Sequence, residues 1–363
     1  MSAKTESPEY LKLSLASAMA LGFHPGRFYR NARNTCINLL LSYSEGCSAN
    51  CAYCGLARER KGRYEEKSFI HVGWPLLPLE EIVSAIKERQ GRVTRICLSM
   101  VTNRRARADV STIARKITEK IDLPFSTLIS PTIIEPVDLV EYRKSGVDRI
   151  GVAIDTVTEE IFNRYRGKET RGPHRWQRYW EILGEAIRIF GKGKVGVHLI
   201  VGLGESERQM VEMIQKVYDL GSSTHLFSFF AEEGSALEDL PSPPLDQYRR
   251  IQLGRYLIDE GIGNFQEFKF DSQGKIIDFG QTDERLDQII ALGTPFMTSG
   301  CPDRKGKVAC NRPYGNCLPG PDIRNYPFLP EPEDIERIMN QLGRAHHLDS
   351  QKERPKEVVG LSI

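Results

Sequence analysis

The chain has 363 residues, with 50 Lys and Arg against 48 Asp and Glu and a formal net charge of +2. That length suits one large α/β barrel with an appendage or two medium domains, and the balanced charge excludes a general polyelectrolyte binder, so no nucleic-acid partner is expected. No run approaches 18 consecutive apolar residues, which excludes a spanning helix and a membrane role; eight cysteines point to metal ligation in a reducing compartment rather than to a secreted disulfide framework.

In chain order, residues 1–21 are mixed polar and weakly helical, with no basic-then-apolar signal pattern, so a cytoplasmic location is expected and residues 1–34 are read as an N-terminal segment. Residues 35–43 (TCINLLLSY) are the first predicted strand. Further strands are expected at 94–101, 125–130, 149–155, 195–202 and 225–231. Amphipathic helices are expected at 79–90, 110–121, 136–145, 175–190 and 205–220, and a sixth at 245–260. Right-handed crossovers close such a βα alternation into a partial (β/α)6 TIM-like barrel over residues 35–262. Beyond residue 260 the rhythm changes. Residues 265–270 and 275–280 read as a short hairpin around Ser272-Gln273-Gly274. Residues 299–330 are rich in Gly, Pro and Cys with little periodicity, and an amphipathic helix is expected at 331–342. Together they form an irregular C-terminal cluster-binding extension over 263–345, followed by a mobile tail at 346–363.

The densest chemical signal is Cys47-Ser-Ala-Asn-Cys51-Ala-Tyr53-Cys54, directly after the first strand. Three thiolates are one fewer than a closed iron–sulfur or zinc site takes, so one metal position is left open, as in a catalytic zinc site. Structural zinc more often shows CxxC pairs, so a three-cysteine [4Fe–4S] site is the favoured reading. The predicted layout places this loop on the C-terminal rim of the barrel, where barrels of this type do their chemistry.

The CxxxCxxC run resembles the signature of the radical S-adenosylmethionine (SAM) enzymes. The resemblance implies that the open iron takes the amino and carboxylate groups of SAM, and that the reduced cluster passes one electron to it, generating a radical that removes a hydrogen atom from an unactivated carbon. An external electron donor is therefore implied. Tyr53 stands where the family often places an aromatic near the adenine; ordinary loop packing is the alternative. Asp155, in Gly-Val-Ala-Ile-Asp-Thr, matches a step of biotin synthase-like members whose Asp meets the SAM ribose; an N-cap for a helix starting near Thr158 is the alternative. Gly196-Val-His198-Leu-Ile200-Val-Gly202-Leu-Gly204-Glu205 resembles the family's fifth-strand GxIxGxxE motif. Period-2 alternation puts Gly196, His198, Ile200 and Gly202 on one face, so His198 and Gly202 are expected to line a ligand-filled lumen, unless His198 is a satisfied core histidine. Glu205 is read as beginning the following helix. An arginine for the SAM carboxylate is available at Arg166, Arg171 or Arg175, and Arg171 is chosen. The Gly-Gly-Glu step that many members carry after the second strand is missing from Cys97-Leu-Ser99-Met-Val-Thr102-Asn; Ser99, Thr102 or a backbone carbonyl is left to meet the SAM amino group.

A second group, Cys301, Cys310 and Cys317, lies in the irregular extension. Exposed free thiols are a liability, so these three are read as ligands of an auxiliary iron–sulfur cluster, expected to be [4Fe–4S], with Ser299, Asn311 and Arg312 as neighbours able to complete it. Structural zinc closed by Cys36 or Cys97 is the alternative. The stretch from Ser299 to Phe328 resembles the C-terminal region of biotin synthase-like proteins, some of which form a two-protein lipoyl synthase in lipoate biosynthesis. That resemblance implies a sulfurtransferase inserting sulfur at C6 or C8 of a protein-bound octanoyl chain, with the auxiliary cluster as sulfur donor. It further implies an octanoylated lipoyl-carrier protein or domain and a second radical SAM subunit as partners. Arg104, Arg105 and Arg107 on the rim offer positive charge to an acidic carrier, with a solvated loop as the alternative. Rival readings are biotin-type sulfur insertion into a small molecule, a radical SAM dehydrogenase with an electron-transfer auxiliary cluster, and a non-catalytic iron–sulfur subunit. The intact Cys47, Cys51, Cys54 and Asp155 argue against the last.

Overall fold

The structure, a computed structural model, describes residues 5–62, 67, 72–313 and 319–344. The chain opens with β1 (Tyr10–Leu13) and α1 (Leu15–Ala20). Then come β2 (Cys36–Leu41), β3 (Leu76–Pro78), α2 (Leu79–Glu88), β4 (Arg95–Ser99), α3 (Ala106–Thr118), β5 (Phe125–Ile129), α4 (Pro136–Lys144) and β6 (Val147–Asp155). After these follow α5 (Glu159–Tyr165), α6 (Trp176–Phe190), β7 (Val195–Val201), α7 (Glu207–Asp219), β8 (Ser223–Ser228) and α8 (Leu245–Asp259). The C-terminal part adds β9 (Lys269–Phe270), β10 (Ile276–Asp278), α9 (Asp283–Ala291) and α10 (Pro332–Gln341).

Eight strands form one sheet in the order β3-β1-β2-β4-β5-β6-β7-β8. β2, β4, β5, β6, β7 and β8 run parallel, and β1 pairs antiparallel with both β2 and β3. This is the expected six-stranded partial TIM-like barrel, extended at its open edge by two short strands. All six residues of β2 (CINLLL) are buried, as in strands covered on both faces. One face of each strand meets the helices through residues such as Ile37, Leu39, Ile96 and Leu98, all fully buried. The helices answer with apolar stripes at i, i+3, i+4 and i+7, for example Leu79, Ile82, Val83 and Ile86 in α2.

Register aligns the other face. Asn38 pairs with Cys97 and Cys97 with Ser126; Leu40 pairs with Ser99 and Ser99 with Leu128. Ala153 pairs with His198, His198 with His225, and Ile200 with Phe227. These residues point into the barrel, where several are too small to fill it.

Strand and helix bounds differ from expectation by a few residues at most, and four features differ in kind. The segment before residue 34 contributes β1 to the sheet, with Leu11 and Leu13 fully buried. β3 was not expected. Residues 265–267 form a 3-10 turn, so the expected hairpin shortens to β9 and β10. α9 was also missed; Thr282 caps it by accepting from Arg285 N–H, and Leu286, Ile289 and Ile290 face the core. α10 is pinned to the N-terminal part by Asp334, which accepts two hydrogen bonds from Arg30 at 2.9 and 2.8 Å. No helix among the described residues is long and apolar enough to cross a membrane. The tail at 346–363 lies outside the described residues.

Candidate active site between two sets of thiols

The loop after β2 carries Cys47, Cys51 and Cys54 over the C-terminal rim. It is held by main-chain bonds to neighbouring rim loops: Ser48 N–H and its hydroxyl both donate to Thr102 O, at 2.8 and 2.7 Å, and Ala52 N–H donates to Tyr165 O at 2.7 Å. All three thiols are free and line one cavity of about 260 Å³. Burial pushes the Cys51 thiol up to about 12 and the Cys54 thiol well above its ordinary value. As thiolates they therefore call for a positive centre, which is what iron supplies. Among the described residues no three Cys, His, Asp or Glu side chains gather closely enough for a single metal ion. The residues present fit a three-cysteine cluster.

Beside this loop, Asp155 ends β6 in a left-handed conformation, φ +66°, which Asp adopts more readily than most residues. The Tyr53 hydroxyl and Arg166 Nη1 both donate to Asp155 Oδ2 at 2.6 Å. Arg166 Nη2 also donates to the Tyr179 hydroxyl at 2.8 Å, and Tyr179 Oη lies 3.1 Å from His174 Nδ1. Tyr53, Asp155, Arg166, His174 and Tyr179 all line the cavity. The helix cap near residue 158 is Thr158 itself, accepting from Ile161 N–H, so Asp155 is not the N-cap.

Arg171 does not reach this cavity. It sits after a 3-10 turn with its side chain 77% exposed and pairs with Glu59 at 2.9 Å; Arg166 is the arginine the fold turns inward. Gly202 is also displaced from the expected lumen. Its φ is +106° and a Cβ there would meet Pro243 at 2.7 Å, so glycine serves the loop after β7, not a ligand. The space beside Gly196 is taken by His225, whose Nε2 would lie 2.3 Å from an added Cβ. His198 does line the cavity. Burial holds it well below the ordinary histidine range, and His225 at about 3. Glu205 precedes α7, which Ser206 caps; its carboxylate accepts from Gly202 and Leu203 N–H at 2.7 and 2.9 Å. Ser99 and Thr102 line the cavity, with the Thr102 hydroxyl 2.9 Å from Ser130 Oγ. Of the rim arginines, Arg105 pairs with Glu6 at 2.7 Å and Arg107 with Asp138 at 3.0 Å, while Arg104 is exposed.

The opposite end of the barrel holds a second group. Cys36, Cys97 and Cys310 pack together, with Cys301 against them. Cys317 lies outside the described residues. The extension reaches this end as a tight hairpin in which Ala309 and Cys310 N–H donate to Cys301 O. Gly300 permits it, because a Cβ there would fall 2.0 Å from Cys310 O. Arg95 clamps the hairpin, donating to Pro302 O at 2.6 Å and twice to Asp148. Cys310 accepts from the Cys36 thiol, Asn38 and Arg312 and is held well below its ordinary value, while burial pushes Cys36 well above and Cys97 to about 12. Ser299 and Asn311 are committed elsewhere: the Ser299 hydroxyl accepts from Leu226 N–H, and Asn311 donates to Arg33 O and Pro327 O. Arg312 alone of the three expected neighbours turns to the thiols, donating from Nε to Cys310 Sγ at 3.2 Å.

A parallel partial barrel with a three-cysteine loop on its rim defines the class, and the match agrees: residues 41–217 fit the radical SAM superfamily, so this part of the chain is a radical SAM domain. Its sequence is biotin synthase-like. It is 26% identical over 235 residues to biotin synthase of Nitrosomonas eutropha (strain DSM 101675 / C91 / Nm57), covering 63% of this chain and 65% of that protein. It is 24% identical over 242 residues to biotin synthase of Nitrosococcus oceani (strain ATCC 19707 / BCRC 17464 / JCM 30415 / NCIMB 11848 / C-107), covering 64% and 65%. The chain thus spans about 65% of the length of these curated relatives. A crystal structure of HydG, a maturase of the [FeFe]-hydrogenase, superposes with a TM-score of 0.50 at 14% identity, over 69% of this chain and 57% of that one, which shows the shared fold. The radical SAM family implies a [4Fe–4S] cluster and SAM.

Proposed function

We propose that this chain inserts sulfur at C6 or C8 of a protein-bound octanoyl chain, as one component of a two-protein lipoyl synthase, using an auxiliary cluster as sulfur donor. The observation that carries the reading is a single cavity that touches both thiol sets: Cys47, Cys51 and Cys54 at the rim, and Cys97 with Arg312 at the far end. Between them the wall is mostly apolar, with Leu40, Met100, Leu128, Ile200 and Phe227 beside Ser99 and His198, which suits an alkyl chain with no polar group to satisfy. With SAM bound, the rim cluster supplies hydrogen-atom abstraction from an unactivated carbon. The chain's own residues orient and shield: Tyr53, Asp155 and Arg166 form a polar rim wall that would hold the SAM ribose and carboxylate, and the apolar wall would exclude water. The octanoylated carrier, a second radical SAM subunit, an external electron donor and a cytoplasmic setting belong to this proposal.

The similarity to biotin synthases favours a second reading, sulfur insertion into a small molecule. Mass spectrometry separates the two. An octanoyl-lysyl peptide incubated anaerobically with protein, reductant and SAM, with and without candidate partner subunits, is expected to gain one or two sulfurs. Formation of biotin, or an oxidised peptide without sulfur, overturns the proposal. Replacing Cys47, Cys51 and Cys54 with Ala is expected to abolish 5′-deoxyadenosine formation while leaving one cluster in place.

A further inference from the structure

We propose that Cys36, Cys97, Cys301 and Cys310 are the four protein ligands of the second iron–sulfur cluster, with Arg312 on its cavity side. The assignment deepens the reading above but rests on the thiols themselves. Two of them come from the barrel: Cys36 opens β2, and Cys97 lies on β4 in register with Asn38. The other two come from the extension, held opposite each other by the main-chain bonds from Ala309 and Cys310 to Cys301 O. Thr35 fastens the two parts, donating its hydroxyl to Ala309 O at 2.8 Å.

Buried cysteines often serve as small apolar packing groups, and the charge around these four argues against that role. Arg312 forms no ion pair with a carboxylate among the described residues. Its contacts are Cys310 Sγ, His198 Nε2 at 3.5 Å and the Phe227 ring, 4.5 Å from the guanidinium carbon to the ring centre. A guanidinium turned into a barrel calls for counter-charge, and the groups placed to supply it here are sulfurs, Cys310 Sγ at 3.2 Å foremost. A cluster held on four thiolates would be a net anion and would supply it. Asn38 adds a donor, with Nδ2 at 3.5 Å from Cys310 Sγ and 3.8 Å from Cys36 Sγ, the kind of N–H···S contact that tunes such centres. Arg312 also holds φ +43°, a conformation that costs about 1 kcal/mol in a non-glycine residue and is retained where surroundings enforce it.

The placement has a functional consequence. Cys36 and Cys310 are essentially inaccessible, whereas Cys97 and Arg312 line the cavity. The cluster therefore shows the substrate space only the edge beside Cys97 and Arg312. From Cys36 to the end of β2 the strand runs five residue steps, about 16 Å at ~3.3 Å each, so the two centres stand at opposite ends of the strands with the apolar wall between them.

The test uses the full chain with Cys47, Cys51 and Cys54 replaced by Ala, so that iron reports the second site alone. After anaerobic reconstitution about four iron per chain are expected. Cys36→Ser, Cys97→Ser, Cys301→Ser and Cys310→Ser are each expected to reduce that content severalfold, and Cys317→Ser to leave it intact. Retained iron in Cys36→Ser and Cys97→Ser, with loss in Cys317→Ser, overturns the assignment. A second measurement does not depend on those variants folding. In the otherwise native chain, Arg312→Gln is expected to alter the reduced-state EPR signal and lower the midpoint potential of one cluster only; no change in either cluster overturns the placement. Iron content is read separately from product: a four-thiol site without thiolated peptide defeats the sulfur-insertion reading alone.

Discussion

At the scale of single residues, the polar rim wall turns on Asp155 and Arg166. Both Tyr53 and Arg166 donate to one oxygen of Asp155, so losing the guanidinium leaves a largely buried carboxylate with the Tyr53 hydroxyl but without its ion-pair partner. Arg166→Met is expected to reduce 5′-deoxyadenosine formation at least about tenfold, equivalent to ~1.4 kcal/mol. Arg171→Ala, on the surface, is expected to leave it near the native rate and to change stability by no more than about 0.5 kcal/mol. Assaying the pair under SAM-limiting conditions checks which arginine belongs to the site. Equal losses in both would mean that Arg171 acts through something other than its surface pair with Glu59. The sequence offered three arginines within ten residues and no way to rank them, because side-chain direction depends on how the segment after β6 folds back over the rim.

At the scale of elements, the loop between β7 and α7 shows how a motif can be legible while its physics is not. Glu205 was expected to start a helix, yet its carboxylate bridges the Gly202 and Leu203 amides and leaves capping to Ser206. Glu205→Ala strands two backbone donors in a buried loop, and a cost of about 1–3 kcal/mol is expected, read as a fall in thermal midpoint. Ser206→Ala, which removes only the cap, is expected to cost about 1 kcal/mol. The six parallel strands and six of the barrel's helices were plain from period and composition, since each buries a continuous apolar run or stripe. β1 and β3 were not, because strands of four and three residues carry too few side chains to display a period.

At the scale of the whole molecule, three buried histidines link stability to pH. Burial holds His174 and His198 well below their ordinary range and His225 at about 3. In the unfolded chain such groups titrate near about 6.5. Below that pH the unfolded state binds more protons than the native one, so stability present at neutral pH is lost as the pH falls from about 6.5 toward 3. The urea midpoint of the metal-free protein is expected to be lower at about pH 5 than at about pH 7.5, and His225→Gln to flatten the dependence by up to one proton. A midpoint independent of pH over that range would mean that these rings are hydrated rather than enclosed.

The sequence by itself determined the barrel and marked the rim cysteines. Both are local in origin: apolar periodicity builds each strand and helix, and Cys47, Cys51 and Cys54 fall within eight consecutive residues, so spacing alone marks them as one ligand set. Tertiary structure decided the rest. In the sequence Cys36 and Cys97 stand only as alternative fourth ligands for a zinc site; the fold packs both against Cys310 and Cys301, more than two hundred positions along the chain. Arg166 and Arg312 gain their meaning in the same way, as cations whose partners are fixed by chain closure. Contacts of that kind arise from where the core brings distant segments together, which no local pattern encodes.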